Sequence, residues 1–489
     1  MSSGIAGQPI PLTPAPKVSA WRPYSNPKNI VRLESRPEGR AAFIIDPWTQ
    51  RWAILGAGSE MVLAMADGTR TREEIVEKVV ATAANDHLRS PRTVNALLDE
   101  LRAAGLLFVS KTQHQSLGLP PVVATEPLGL HLEITNACNL SCAHCYVSSG
   151  EKLPDELTDA ELRAVVDQLP PFSDKLVAIT GGEAAVRRNA LDLVEYCSVE
   201  RGHKVDLYTN AYKFPRKFAE RVLEINAIGA GRVNLQVSLE GATAATNDAV
   251  RGKGVFDQVL RSLAMFQELG LNRSTQLFIC ITKNNIHELD AMIEIAERFD
   301  LAKLAFSQWE AQGNAADTPW ESIAPSLEEW TGAGEKILAY ENPRLQLLGN
   351  FFGDLNNTKG GRYTLERSLF PKHLFGYNVF PRVSPDGWIF ASQLWVDQEW
   401  ALGNVRDMTL EEAFAGEKFQ EHLRLFRRRA EVVEECRSCQ WVDLCGGGHP
   451  GHTLSEYGQL DHKDAFCDTR KFWFERYVDR HLEGALSRG

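Results

Sequence analysis

Leu128-Gly-Leu-His-Leu-Glu-Ile-Thr135 runs through Asn136 and Ala137 into Cys138-Asn139-Leu140-Ser141-Cys142-Ala143-His144-Cys145. The first half is an alternating apolar run that reads as a β-strand. The second half sets three cysteines within eight residues. Thiolates this close can ligate three irons of a 4Fe–4S cluster and leave the fourth iron open, as a catalytic metal site keeps one position for its ligand. A three-cysteine zinc site is the other reading of the same spacing. A metal loop at the carboxyl end of a strand lies where α/β barrels place their chemistry.

Working outward, five further strand candidates follow at 175–180, 204–210, 233–241, 276–282 and 303–309. Helical patterns fill the gaps, among them Leu157–Leu169, Phe214–Ile225 and Val255–Leu269. Apolar strands alternating with helices predict a parallel sheet. The strand at 175–180 ends in Gly181-Gly182-Glu183, two glycines that allow close backbone approach and a carboxylate suited to a cationic amine. Cys280, mid-strand, reads as a buried small hydrophobe, and Cys197, near a helix end, as structural.

The C-x3-C-x2-C loop, the Gly-Gly-Glu, the segment Val233–Gly241 and Arg251-Gly252-Lys253-Gly254 together resemble the radical S-adenosylmethionine (SAM) superfamily. The resemblance implies a partial (β/α)6 barrel whose open iron is chelated by the amino and carboxylate groups of SAM. It implies that Cys138, Cys142 and Cys145 hold the cluster and that Tyr146 lies beside the adenine. Gly181, Gly182 and Glu183 would hold the SAM ammonium, Ser238 would hydrogen-bond SAM, and Arg251 would pair with its carboxylate through the guanidinium fork. Read alone, Ser238 is also compatible with a strand-end hydroxyl and Arg251 with a surface ion pair. Two details depart from the family's commonest pattern: Ala184-Ala185 stands where Pro-Leu is frequent, and Glu240 where Asp is usual.

Near the carboxyl end, Cys436-x2-Cys439-x5-Cys445 is followed by Cys467, with Gly446-Gly447-Gly448 between them. Together with Val383-Ser-Pro-Asp-Gly387 and Gly403-Asn404-Val405, this resembles the SPASM extension of radical SAM enzymes. A full SPASM domain carries two auxiliary clusters. Here Ser392 stands where the first would have a cysteine, and no cysteine lies between Cys280 and Cys436. The resemblance therefore implies one auxiliary 4Fe–4S cluster on Cys436, Cys439, Cys445 and Cys467, with a four-cysteine zinc site as the alternative. Four thiolates would leave no iron open, which favours electron transfer or structure over substrate binding. His449 stands where the missing cluster's last ligand would be and reads as a loop histidine.

The amino-terminal part has a different texture. Ala41–Ile45 and Arg51–Leu55 read as paired strands around a turn at 46–50, and three helices follow near 59–66, 72–81 and 91–104. Thr71 with Glu74 three residues later is a helix-start signal, and Leu106–Val109 reads as a closing strand. The order resembles the winged-helix domain of the pyrroloquinoline-quinone peptide chaperone. That domain is the recognition element that binds leaders of ribosomally made, post-translationally modified peptides (RiPPs). A small sheet with an open edge can take an extended peptide as another strand. An ordinary winged helix for DNA binding or packing is the alternative. Glu73, Glu74, Glu77, Asp86 and the net charge of −11 make DNA the poorer partner.

At 489 residues the chain exceeds one core. The expected layout is a flexible tail at 1–29, a peptide-recognition domain at 30–112, a linker at 113–126, a radical SAM core at 127–345 and a SPASM-like domain at 346–489. Nine cysteines, seven in metal-like spacings, no signal-like apolar run and no membrane span lead to an expected cytoplasmic protein. The combined resemblance implies a peptide maturase with SAM and two 4Fe–4S clusters as cofactors. Its partners would be a ribosomal precursor peptide and an electron donor such as flavodoxin or ferredoxin. A 5′-deoxyadenosyl radical would take hydrogen from the core peptide, the auxiliary cluster would take an electron, and a carbon–carbon or thioether cross-link would form. A tetrapyrrole-modifying enzyme with one auxiliary cluster and a non-catalytic peptide-binding scaffold are the alternatives.

Overall fold

The computed structural model describes residues 22–36, 39–46, 49, 51–56, 58–84, 86–117, 127, 129–309, 311–349 and 380–486. Its first strands, β1 (Ile30–Arg36), β2 (Gly39–Ile45) and β3 (Trp52–Gly56), form an antiparallel sheet in that order. β2 and β3 are the expected pair. β1 is additional, its alternation obscured by Arg32, Glu34, Ser35 and Arg36. The continuous apolar run of β2 is explained by burial on both faces. Ala42 and Ile44 pack on the helices Ser59–Met65, Arg72–Thr82 and Pro91–Ala103. Phe43 and Ile45 pack on Trp473, Phe474 and Val478 of the carboxyl-terminal helix Cys467–Leu486. Thr71 and Glu74 form the expected capping box.

Three expectations are corrected here, the second and third by polar burial. Leu106–Val109 is not a strand; Phe108 makes an isolated bridge with Tyr24. The expected tail is packed from residue 23, where Tyr24, Ser25 and Asn26 are buried and Asn26 donates to Asp46 at 2.7 Å. The expected linker begins as the helix Lys111–Leu117, whose His114 Nε2 lies 2.8 Å from the buried Asp46 carboxylate. These groups satisfy one another inside the protein, and such pairing carries no hydrophobic periodicity for a sequence to display. The remainder of the tail (1–21) and of the linker (118–126), and Pro47, Trp48 and Gln50 of the turn, lie outside the described residues.

All six expected barrel strands form: β4 (Gly129–Glu133), β5 (Leu176–Thr180), β6 (Lys204–Thr209), β7 (Val233–Ser238), β8 (Thr275–Ile281) and β9 (Lys303–Gln308). They pair in sequence order, all parallel. Leu130, Leu132, Val177, Ile179, Leu235 and Ile279 bury one face against helices such as Asp159–Val166 and Val255–Leu269. The alternating positions His131, Glu133, Tyr208, Gln236, Phe278 and Cys280 turn to the barrel interior. Cys280 is consequently half-exposed beside Glu240 rather than a buried hydrophobe. Cys197 is fully buried, and burial pushes its thiol up to about 12.

The sheet runs past its expected limits at both edges. β10 (Gln346–Gly349) pairs parallel with β9, so the core passes residue 345. β11 (Arg382–Val383) pairs parallel with β4, and β12 (Trp388–Phe390) and β13 (Gly403–Asn404) continue antiparallel. The Ser-Pro-Asp-Gly turn joins β11 to β12, with Gly387 in the left-handed region at φ 92°. Residues 350–379 and 487–489 of the carboxyl-terminal region lie outside the described residues. Among the described residues, no helix is long and apolar enough to cross a membrane.

One buried ion pair joins this region to the barrel. Arg382 donates from Nε and Nη2 to Glu133 at 2.8 and 2.7 Å, with the side chains only 4% and 2% exposed. Arg382 also donates to Trp395 O at 2.9 Å and lies over the Phe390 ring. Arg382→Met strands a buried carboxylate and is expected to destabilise the protein by about 3–5 kcal/mol, read from its unfolding transition in urea. An unchanged midpoint and slope would show that the pair contributes nothing.

Candidate cluster and cofactor sites

The three-cysteine loop leaves the carboxyl end of β4 and is held by backbone bonds on several sides. Cys138 N donates to Gly150 O at 2.8 Å, Ala143 N to Val250 O at 2.9 Å, and Asn314 N to Cys145 O at 2.9 Å. Ser149 N lies 3.2 Å from Cys145 Sγ, and Asn210 Nδ2 lies 3.8 Å from Cys138 Sγ. All three cysteines are half-buried. Burial pushes the Cys142 thiol up to about 11, while the Arg251 charge works the other way; Cys138 is raised for the same first reason. Soft ligands that gain by giving up their protons to a metal fit an iron–sulfur cluster or zinc.

Gly181 and Gly182 are pressed against this loop. A Cβ on Gly182 would lie 2.2 Å from Ala137 O, and one on Gly181, at φ 137°, would lie 2.3 Å from Thr135 O. The close approach that the two glycines permit is to the chain's own backbone. Glu183, 2% exposed, accepts from Thr209 Oγ1 at 2.8 Å, Asn210 N at 2.7 Å and Ala185 N at 3.1 Å. Burial raises its carboxyl despite these donors, and no described cationic side chain forms an ion pair with it. A carboxylate held this way fits an incoming ammonium group.

Ser238 ends β7, half-buried. Arg251 is buried, not on the surface, and its Nη1 donates to Glu240 Oε1 at 2.9 Å, while its Nε has no hydrogen-bond partner among the described residues. Glu240 also receives His144 Nε2 at 3.1 Å and Cys280 N at 2.9 Å. Burial works to raise the Glu240 carboxyl, and His144 and Arg251 outweigh it and hold it low. The ligand atoms of His144, Glu240 and Cys280 lie within 4.8 Å of one another. The free guanidinium edge of Arg251 fits a carboxylate. Tyr146 sends its hydroxyl to Glu133 Oε1 at 3.1 Å and to within 3.3 Å of His131 Nε2, tying the cysteine loop to the buried ion pair.

The second set converges as well: Cys436, Cys439, Cys445 and Cys467 line one cavity, beside Trp441 and Arg470. Gly446, Gly447 and Gly448 all have positive φ, at 67°, 88° and 80°. A Cβ on Gly448 would lie 2.5 Å from Asp464. Burial, with the neighbouring thiols adding to it, pushes Cys436 up to about 11. His449 is half-buried, accepts from Gly451 N on Nδ1 and does not line the cavity. Sequence reading missed Arg429, Asp464 and Arg470 here, and His131, Glu133, Asn210 and Arg382 at the barrel. For His131 and Glu133 a signal existed, since alternation along β4 puts both on the face opposite Leu130 and Leu132.

Residues 132–296 match the radical SAM superfamily, and residues 382–440 match the SPASM iron-sulfur cluster-binding domain. Mycofactocin maturase MftC of Mycobacterium ulcerans (strain Agy99) is 30% identical over 354 residues, covering 70% of this chain and 88% of that one. Fe-coproporphyrin III synthase of Methanosarcina barkeri (strain Fusaro) is 27% identical over 357 residues, covering 68% of this chain and 86% of that one. In fold, the chain is similar to Streptococcus suis SuiB bound to precursor peptide SuiA. The TM-score is 0.54 at 16% identity, over 91% of this chain and 99% of that one.

Gly182→Ala is expected to drive the cysteine loop off the end of β5 and destabilise the protein by roughly 1–3 kcal/mol, measured by thermal unfolding. An unshifted transition would mean that the two backbones have room to part.

Proposed function

The chain belongs to the radical SAM superfamily, and from that premise we propose that it is a peptide maturase, binding the leader of a ribosomal precursor through its amino-terminal sheet and oxidatively modifying the core. The observation that carries this reading is the placement of that sheet. It keeps β1 and β3 as unpaired edges among the described residues, and its outer face packs on the helix that begins with Cys467. An extended peptide added to either edge would be held by backbone bonds on the same body as both cysteine sets. The relatives named mycofactocin maturase support the peptide class.

Cys138, Cys142 and Cys145 would hold the SAM-binding cluster, and Cys436, Cys439, Cys445 and Cys467 the auxiliary one. Cluster and SAM, when bound, supply a one-electron cleavage that yields an oxidant able to take hydrogen from unactivated carbon. Around them, Glu183 would receive the SAM ammonium, Arg251 its carboxylate, and Ser238 a further hydrogen bond. Gly181 and Gly182 would hold the cysteine loop and the β5 end together, and Tyr146 would anchor the loop from below. The β4–β9 interior, with His131, Tyr208 and Gln236, would enclose the reacting segment away from bulk water.

The relative named Fe-coproporphyrin III synthase supports a second reading, a tetrapyrrole substrate on the same chemistry. Deleting the amino-terminal unit is a poor discriminator, because it would bare Trp441, Trp473 and Phe474. Leu33→Asp, on an exposed β1 side chain, is the better probe. It should abolish stimulation of SAM cleavage by leader-bearing peptides and leave basal cleavage intact. Formation of Fe-coproporphyrin III from an iron tetrapyrrole precursor instead would select the second reading. Anaerobically reconstituted wild type should carry about eight irons, falling to about four in Cys138→Ala/Cys142→Ala/Cys145→Ala, by iron and sulfide analysis with Mössbauer spectra. About four falling to none would remove the auxiliary cluster from the proposal.

A further inference from the structure

Around the second cysteine cavity the buried protein charges do not balance. Arg429, on the helix Glu417–Val432, is 1% exposed. Its Nη2 donates to Thr453 Oγ1 at 2.5 Å and to His462 O at 3.0 Å. Its Nε and Nη1 have no hydrogen-bond partner among the described residues. Arg470, three residues after Cys467, donates from Nη2 to Asp464 at 3.2 Å and from Nη1 to Cys445 Sγ at 3.7 Å. Asp464 is the buried carboxylate these guanidiniums face, and His449 N, His452 Nδ1 and Phe466 N share it at 2.7, 3.2 and 2.8 Å. Gly447 sits with its would-be Cβ 3.3 Å from Arg429 Cβ, so the cysteine loop runs directly over that arginine.

The fully buried Arg429 and the largely buried Arg470, its side chain 11% exposed, thus meet one buried carboxylate; Glu435 and Lys471, opposite in sign, also line the cavity, so the remaining anionic charge beside the pair is that of the four cysteine sulfurs. In a region of low dielectric such an excess acts strongly on any charge change in the cavity. Net charge and hydrogen bonds to sulfur are among the levers that set an iron–sulfur potential. Resting on the reading that these cysteines hold a 4Fe–4S cluster, we propose that Arg429 and Arg470 are positioning residues that raise its reduction potential and make the cavity an electron acceptor. Reduction makes the cavity one unit more negative, which the two guanidiniums favour and Asp464 opposes. The electron is the one that the substrate carbon gives up after losing its hydrogen atom, as bond closure releases a proton. Zinc would satisfy the same charge balance and take no electron.

The test is an EPR-monitored redox titration of the full chain carrying Cys138→Ala/Cys142→Ala/Cys145→Ala, so that one cluster is read. Arg429→Gln should keep about four irons. It should shift the reduction equilibrium about tenfold toward the oxidised form, or about 59 mV for a one-electron couple. Arg429→Lys, which keeps the charge, should restore most of the shift. Asp464→Asn should move the potential the opposite way, and it decides the matter if Arg429→Gln does not fold. An unmoved potential with iron intact, a Lys variant as low as Gln, or an Asp464→Asn potential that stays or falls would each overturn the proposal. Absence of iron from the parent triple variant would sink the cluster reading itself, before any potential is measured.

Discussion

The ion pair between Glu133 and Arg382 is the contact on which the architecture turns. Each charge would be prohibitively costly inside the protein alone, and their attraction offsets that cost only with near-ideal geometry and satisfied remaining groups. Both conditions are met: the guanidinium is bidentate on the carboxylate, its third nitrogen meets Trp395 O, and Phe390 lies against its face. Glu133 closes β4 and Arg382 opens β11, so the pair fixes the register in which the carboxyl-terminal domain joins the barrel sheet. Tyr146 adds the cysteine loop to the same network. Loop, strand and domain therefore share one set of polar interior bonds, and loosening any member leaves another unsatisfied.

A second constraint acts at the far end of the chain. The amino-terminal sheet buries both faces, one on its own helices and one on the carboxyl-terminal helix. Trp441, between Cys439 and Cys445, stacks on Phe474 of that helix and belongs to the same apolar cluster as Phe43 and Trp52. The four-cysteine loop is thus walled by residues from both ends of the sequence. Arg32 on β1 reaches Glu475 at 2.6 Å, and Gln440 and Trp441 donate to the same carboxylate. The unit proposed to bind the peptide and the unit proposed to hold the auxiliary cluster are one packed body.

Much of this was legible beforehand because it is local chemistry. Strand–helix alternation from β4 to β9, the capping box at Thr71 and the cysteine spacings are patterns of a few residues, set by backbone period or ligand reach. What escaped has no local pattern. Tyr24, Asn26, Asp46 and His114 are buried polar groups that find each other across long sequence separations. Cys280 reads as one more apolar position in its strand, and only barrel closure turns it toward Glu240. β1 hides behind polar residues because one side of it meets charged groups of the terminal helix instead of a core.

By itself the sequence determined the parallel barrel, the two sets of cysteines and their family. The barrel and the cysteine sets rest on periodicity and on spacings that a short loop must obey to reach one metal group, and the family on the resemblance of its motifs. Tertiary structure alone decided which charges stand beside each set. Arg251 and Glu240 at the first, and Arg429, Asp464 and Arg470 at the second, become neighbours by folding. An isolated arginine or aspartate in a sequence looks like solvated surface. Only burial, which removes the water that would otherwise screen it, gives such a charge its influence over a neighbouring site.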